Sequence, residues 1–308
     1  MSDGGRPIYA NRRQILFLIA ASLVPALLAA VALIGWDYYD REREREVRDS
    51  LATAHAMAAS VDAELSGIKS ALFALASSPY LERDDFAAFH RQASAALKNQ
   101  DFANIALLDE SLRQRLNTFR PYGEPLPARG NPEQLRLVFA TGKPVVTDLF
   151  VGPVTRQPLI AVGVPLRREG AVRYVLGAAV TPERLASILR TQALPPDWVG
   201  AIFDGTGTIV ARTHEAQRFV GQKGTPELVQ HMQAMREGVV QTKTLEGIPV
   251  VSVFSHSPIS GWTVAIGIPL DYFRRHLLDS LARLFIIGFV MLLVATGLAL
   301  AIARRMTL

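Results

Sequence analysis

Residues 15–36 read ILFLIAASLVPALLAAVALIGW, and residues 37–78 read DYYDREREREVRDSLATAHAMAASVDAELSGIKSALFALASS. How these two runs join decides the fold. The first carries no charge and is long enough to cross the roughly 30 Å hydrocarbon core of a bilayer at about 1.5 Å per residue. The second opens on Asp40-Arg41-Glu42-Arg43-Glu44-Arg45-Glu46, contains no proline, and interrupts its good helix formers only at Gly67. The junction predicts a membrane helix that continues without a break into a long water-exposed helix. Ser78-Pro79 stops it, because the residue before a proline avoids the helical region.

The exposed helix has a period. Val47, Leu51, Ala54, Ala58, Val61, Leu65, Ile68, Leu72 and Leu75 follow one another at spacings of four and three, the a and d positions of a heptad. Two readings fit this stripe. It packs the helix on its own domain, or it forms the seam of a parallel dimer.

A second charge-free run, Leu284 to Ala303, lies near the other end, and about 250 residues of ordinary globular composition separate the two, enough for one core or two small ones. Arg6, Arg12 and Arg13 precede the first run, and Arg304 and Arg305 follow the second. Arginine at both outer ends places them in the cytoplasm and the intervening domain outside. Ala30-Val31-Ala32 offers a cleavage site, but apolar Leu33 and Ile34 follow it, so the first run reads as an uncleaved anchor. The net charge of +5 is spread over scattered arginines and argues against nucleic-acid binding. With no cysteine, disulfides and thiolate metal sites are excluded.

Beyond the stalk the pattern predicts a helix over Asp84 to Asn99 and a hairpin from Asn104 to Leu108 and Arg113 to Thr118. A Pro- and Gly-rich loop leads to a helix over Pro132 to Thr141, ended by Gly142. Three strands follow, Pro144 to Phe150, Leu159 to Pro165 and Val172 to Val180, and then a helix from Pro182 to Arg190 with Thr181 as N-cap. After the linker 191–197 the same order returns: a hairpin from Val199 to Phe203 and Thr208 to Arg212, and a helix from Pro226 to Arg236 closed by Gly238. Strands over Val239 to Leu245, Pro249 to Ser255 and Trp262 to Ile268 then lead to a helix from Asp271. This is an internal duplication, in which Val175-Leu176-Gly177-Ala178-Ala179-Val180-Thr181-Pro182 matches Val264-Ala265-Ile266-Gly267-Ile268-Pro269.

With its anchor, stalk, two tandem sheets and return helix, the chain resembles a double Cache extracytoplasmic sensor domain of bacterial membrane-bound sensor histidine kinases. The segment Leu149-Phe150-Val151-Gly152-Pro153-Val154-Thr155-Arg156-Gln157-Pro158 resembles the middle of the membrane-distal unit in such proteins. So do Leu107-Leu108-Asp109 and Leu116-Asn117-Thr118, while Ser260-Gly261-Trp262-Thr263-Val264-Ala265 resembles part of the proximal one. The resemblance implies an α+β fold: a long N-terminal stalk helix and two tandem PAS-like antiparallel five-stranded sheet units, flanked by two transmembrane helices. The expected boundaries are a cytoplasmic tail 1–14, transmembrane helix 15–36, stalk 37–78, distal unit 79–193, proximal unit 194–283, transmembrane helix 284–303 and tail 304–308. The expected location is the bacterial inner membrane, two-pass, with residues 37–283 in the periplasm.

The resemblance further implies that the distal unit binds a small molecule and that the stalk transmits the event to the membrane helices; the dimer reading of the heptad makes a homodimer the expected assembly. Arg120, Tyr122, Thr147, Asp148, Arg156 and Tyr174 are the candidate ligand residues. An arginine facing a carboxylate and an aspartate facing an amine would suit a carboxylate or amino-acid-like ligand. No catalytic motif and no cofactor or metal site is read. The six histidines stand at no metal-ligand spacing, and Gly205-Thr206-Gly207 is a hairpin turn, not a phosphate loop. Trp262 is assigned to the proximal core. Such sensors continue into a kinase, cyclase or chemotaxis output, so the chain is expected to be either the sensory part of a histidine kinase or a stand-alone input module. A membrane anchor or assembly protein without a ligand is the remaining alternative.

Overall fold

A computed structural model describes residues 10–97 and 102–305, with most side chains in 10–38 and many in 276–305 outside the description. The expected tails 1–14 and 304–308 and the expected helix end at Lys98 and Asn99 fall largely outside it as well. Two compact units divide the chain, one made of the terminal segments up to Val47 and from Leu270, the other of Arg48–Pro269.

Helix α1 runs from Ala10 to Ala76. Gly67 does not break it, since a lone glycine costs a helix only about 1 kcal/mol relative to alanine. The chain leaves the helix at Ser77, and Ser78 caps the short α2 (Pro79–Glu82) by accepting from the Tyr80 N–H. The charge-free runs 15–36 and 284–303 lie within α1 and α8 (Leu270–Arg305), and most of their side chains are outside the description. Among the described residues no helix is long and apolar enough to cross a membrane.

Within Arg48–Pro269 the stalk stripe is buried: Ala54, Ala58, Val61, Leu65, Ile68 and Leu72 are at most 2% exposed. This decides between the two readings of the heptad over these six positions, which pack inside one chain and are closed to a dimer seam. Polar contacts fix the height of the stalk on the domain. His55 Nδ1 lies 3.3 Å from Ser255 Oγ, the Ser257 hydroxyl donates to Asp62, and Arg184 pairs with Glu64.

The first sheet has the order β2-β1-β6-β5-β3, built from Gln114–Asn117, Asn104–Leu108, Ala171–Val180, Pro158–Arg168 and Val145–Val146; β4 (Phe150–Val151) pairs separately with β5. The sequence predicts one strand over Pro144 to Phe150. It is broken in two because the Asp148 N–H donates to Gln134 Oε1 and the Leu149 N–H to Asp204 Oδ2, so these residues leave the ladder. The sheet therefore has six strands, one more than expected.

The second sheet has the order β8-β7-β11-β10-β9, from Ile209–Arg212, Val199–Phe203, Thr263–Pro269, Pro249–His256 and Glu237–Lys243. The two orders are the same permutation, which is the duplication read from the sequence. Both hairpins carry a bulge before an aspartate, at Leu107/Leu108 and at Ile202/Phe203. In both, that aspartate ties the turn: Asp109 Oδ1 accepts from the Ser111 and Arg113 N–H groups, and Asp204 Oδ1 from those of Thr206 and Thr208.

The ladder shifts the alignment of the last strands. Ala106 pairs with Gly177 and Ala201 with Ala265, so Gly177 corresponds to Ala265 and Ala179 to Gly267.

Both faces of each sheet are covered, so β1 and β11 are buried along their whole length and read as unbroken apolar runs. In the first sheet Leu108, Leu135, Val138 and Val175 form one core under a 3-10 turn (Glu133–Leu135) and α4 (Arg136–Thr141). In the second, Phe203, Phe219, Leu228, Met232 and Phe254 form the matching core under α6 (Ala216–Phe219) and α7 (Pro226–Ala234). The sequence gives no separate signal for the one-turn α6. Gly238 does not close α7 but lies inside β9, where a side chain would strike the Phe254 ring at 2.9 Å. Thr181 stands at the N-cap of α5 (Pro182–Thr191) without a side-chain cap bond. Helix α3 spans Phe86–Leu97, with Asp85 accepting from the Ala88 N–H at its start. Trp262 is 1% exposed, in the core as expected.

Candidate ligand-binding site

A cavity opens on one face of the first sheet. Its floor exists because the residues there are small. Asn117, Ala106, Gly177 and Gly163 stand in one cross-strand row, and Asn104, Ala179 and Ala161 in the next. Partners in a row share a face, so this face is alanine and glycine edged by asparagine. The walls come from two loops. Asn131, Pro132 and Leu135 stand on one side, and Phe150 and Gly152 to Thr155 on the other. Gly152 is required at the tight turn, where a Cβ would meet Thr155 Oγ1 at 2.5 Å and Leu159 Cδ1 at 2.6 Å.

The polar groups of the cavity form a chain of amides. Asn117 Nδ2 donates to Gln114 Oε1 at 2.8 Å, Gln114 Nε2 to Asn131 Oδ1 at 2.7 Å, and Asn131 Nδ2 to the Leu112 carbonyl at 2.8 Å. Asn117 Oδ1 in turn accepts from the Phe119 N–H. Buried amides orient one another and leave remaining donors and acceptors for a ligand. Among the described residues no lining residue is charged. Such a wall can bind an uncharged polar molecule through amide hydrogen bonds and its apolar part through Leu108, Phe150 and Leu159, and its described residues include no counter-ion for a carboxylate or an ammonium group.

The six residues picked from the sequence do not converge here. Arg120 donates to the Pro125 carbonyl within its own loop. Tyr122 is 48% exposed beside the His90 ring. Thr147 is fully buried, its hydroxyl bonded to the Ala161 N–H and the Asp148 carbonyl. Arg156 is exposed in a turn at φ +57°. Tyr174 sits edge-on to Phe86 with the Arg168 guanidinium 5.9 Å from its ring.

Asp148 joins the two sheets. Its Oδ1 accepts from the Gly205 N–H at 3.0 Å, its Oδ2 from Gln134, and Asp204 returns the bond by accepting from the Leu149 N–H at 3.1 Å. Burial, then the neighbouring Asp204 carboxylate, pushes the Asp148 carboxyl above its ordinary range, against the hydrogen bonds from Gln134 and Gly205.

Of the lining amides that the sequence reading did not pick, Asn104, Gln114, Asn117 and Asn131, two have a sequence signal. Asparagine is depleted in strands, so Asn104 and Asn117 inside apolar strands mark polar positions facing a buried surface.

No family model and no curated protein matches the chain. Solved structures do. The extracellular domain of the putative histidine kinase rpHK1S-Z16 aligns at TM-score 0.61 and 13% identity over 74% of this chain and 96% of its own. The ligand-binding domain of Mlp24, solved with asparagine, aligns at 0.59 and 19% over 78% and 98%. That of the Campylobacter jejuni chemoreceptor Tlp3, solved with L-valine, aligns at 0.57 and 16% over 77% and 97%. The chain has the fold of extracellular ligand-binding domains of chemoreceptors and sensor kinases.

Proposed function

We propose that the chain is a membrane-anchored extracytoplasmic sensor input module of the double Cache type, and that its distal cavity binds a small, uncharged, polar molecule. The observation that carries this is the amide-lined cavity on the small-residue face of the first sheet, in a fold that other proteins use as a ligand-binding domain. The amino acids named with the neighbouring structures set the size class. The amide hydrogen-bonding groups and the lack of charge among the described lining residues favour small amides or polyols over free amino acids.

The membrane part rests on two features. The runs 15–36 and 284–303 are charge-free, and Phe285, Ile286, Ile287, Phe289, Val290, Met291, Leu293 and Val294 are each more than half exposed along α8. Apolar side chains in such a continuous patch are satisfied by lipid. With arginine at both outer ends, the reading is completed by two-pass insertion with residues 37–283 outside, and by domain limits set at 78/79 and 193/194.

A thermal-shift screen of the full chain in nanodiscs tests it. A ligand at 100 times its dissociation constant stabilises by about 2.7 kcal/mol. The expected hit is uncharged and loses its effect in Gly177→Val, which fills the cavity floor. A stabiliser that works equally well in that variant, or no stabiliser across a broad metabolite set, returns the chain to the anchor or assembly reading.

A further inference from the structure

The second sheet carries its own cavity. Ladder register shows it to be the counterpart of the first: Ala106 corresponds to Ala201, Ala161 to Ser252, Ala179 to Gly267, and Asn117 to Arg212. Duplication has kept the small-residue floor and exchanged the polar group. Where the distal cavity presents an amide, the proximal one presents a guanidinium.

Arg212 is 5% exposed and lies over the Phe219 ring at 4.3 Å. Its Nη1 and Nη2 reach Glu246 Oε1 and Oε2 at 2.8 and 2.9 Å, and Nη1 also donates to the His214 carbonyl at 3.2 Å. Glu246 is carried by the exposed β9–β10 turn, whose next residue, Gly247, has φ +83°. The rest of the described lining is mainly apolar, with Val199, Phe203, Leu228 and Val250 in its walls, and the exposed Lys243 and half-buried Thr244 stand beside Leu245 on the β9 side. Thr225, also in the wall, has a buried Oγ1 with no hydrogen-bond partner. A buried arginine, a second cation at Lys243, a mainly apolar lining and a spare hydroxyl describe a receptor for a small anion with a hydrocarbon end.

We propose that the proximal cavity is a second ligand site, for a short-chain monocarboxylate, in which Arg212 is the anion anchor and Glu246 a tethered carboxylate that the ligand displaces. The Arg212–Glu246 geometry is the two-point fork that a free carboxylate would occupy. Releasing Glu246 frees the β9–β10 turn, so occupancy would change the edge of the second sheet. The affinity of the free ligand is set by competition with its tethered copy.

The test uses the full chain in nanodiscs, with acetate, propionate and butyrate as probes and propionamide as the neutral control, read by calorimetry and thermal shift. Propionate or butyrate should bind where propionamide does not. Glu246→Gln removes the competing charge and should tighten propionate binding by about tenfold, within the usual range of coupling between two ligands, although it lowers the melting temperature. Gly267→Val should abolish carboxylate binding, and Gly177→Val should leave it unchanged. Equal binding of amide and acid would refute anion recognition. Unchanged or weaker propionate binding in Glu246→Gln, or none in either protein, would make Arg212–Glu246 a structural ion pair only.

Discussion

Two glycines that face each other across one ladder give the sharpest check on the distal cavity. Gly163 and Gly177 are cross-strand partners on β5 and β6, so their missing side chains would share a face. Their surroundings are opposite. A Cβ on Gly177 meets nothing nearer than Leu108 Cδ1 at 3.8 Å, whereas a Cβ on Gly163 meets Leu135 Cδ2 at 2.8 Å and Val175 Cγ1 at 3.0 Å. Neither has positive φ. Gly177→Ala therefore loses unfolded-state entropy without strain and should stabilise the ligand-free protein by about 0.4–1 kcal/mol. For a unit of this size that raises Tm by roughly 1–4 °C. Gly163→Ala overpacks a core in which Leu135 and Val175 are at most 2% exposed, and should cost about 1–3 kcal/mol. Denaturant melts of both variants, taken without ligand, read the cavity independently of what fills it. If Gly177→Ala destabilises as much as Gly163→Ala, the floor is already occupied by packing, and the cavity does not exist in solution.

Three further predictions concern charge, the stalk and topology. Asp148 and Glu246 are shifted in opposite directions: burial pushes the Glu246 carboxyl up, but the hydrogen bond from Arg212 and further favourable contacts outweigh it and hold the group below the usual carboxylate range. A raised carboxyl favours the protonated folded state, so the Asp148 contribution is present at low pH and fades as pH rises through its folded value. A lowered one contributes above its ordinary value and is lost as pH falls through the folded one. On acidification from pH 7 to 4 the melting-temperature difference should therefore move in favour of wild type over Asp148→Asn, while the deficit of Glu246→Gln should shrink; pH-independent differences would refute both assignments. Cysteine at Val47 should crosslink in a homodimer and cysteine at Ala58, 2% exposed, should not; a crosslink at Ala58 would contradict packing of the stalk within one chain, and none at Val47 would remove the dimer at that height. A phosphatase reporter fused at Leu194 should be active outside the inner membrane, and an inactive one there would reverse the orientation.

The architecture was legible because it is written in repeated local signals. The heptad from Ala54 to Leu72, the turns at Asp109 and Asp204, and Gly142 at the end of α4 each act over a few residues. Period and turn chemistry therefore locate them before any tertiary contact is known. The break between β3 and β4 was not legible, because its cause is tertiary: Gln134 and Asp204, distant in sequence, take the N–H groups that a ladder would have used.

The same reason leaves the six residues chosen from the sequence outside the distal cavity. A loop aspartate or arginine reads alike whether it meets a ligand or another part of its own chain, and Asp148 is spent on the Gly205 N–H. The cavity itself depends on residues that are inconspicuous one by one, alanine and glycine in register across three strands, with Asn104 and Asn117 at the edge. Only strand pairing brings them into one surface.

Hydrogen–deuterium exchange of the full chain, with and without the uncharged ligand selected by thermal shift, bears most directly on the claim that the distal cavity is the sensory site. Ligand should slow exchange in the two walls, residues 131–135 and 150–155, and along β1 and β6. Protection confined to the second sheet, or spread over exposed loops such as 120–125 with the walls unchanged, would contradict it.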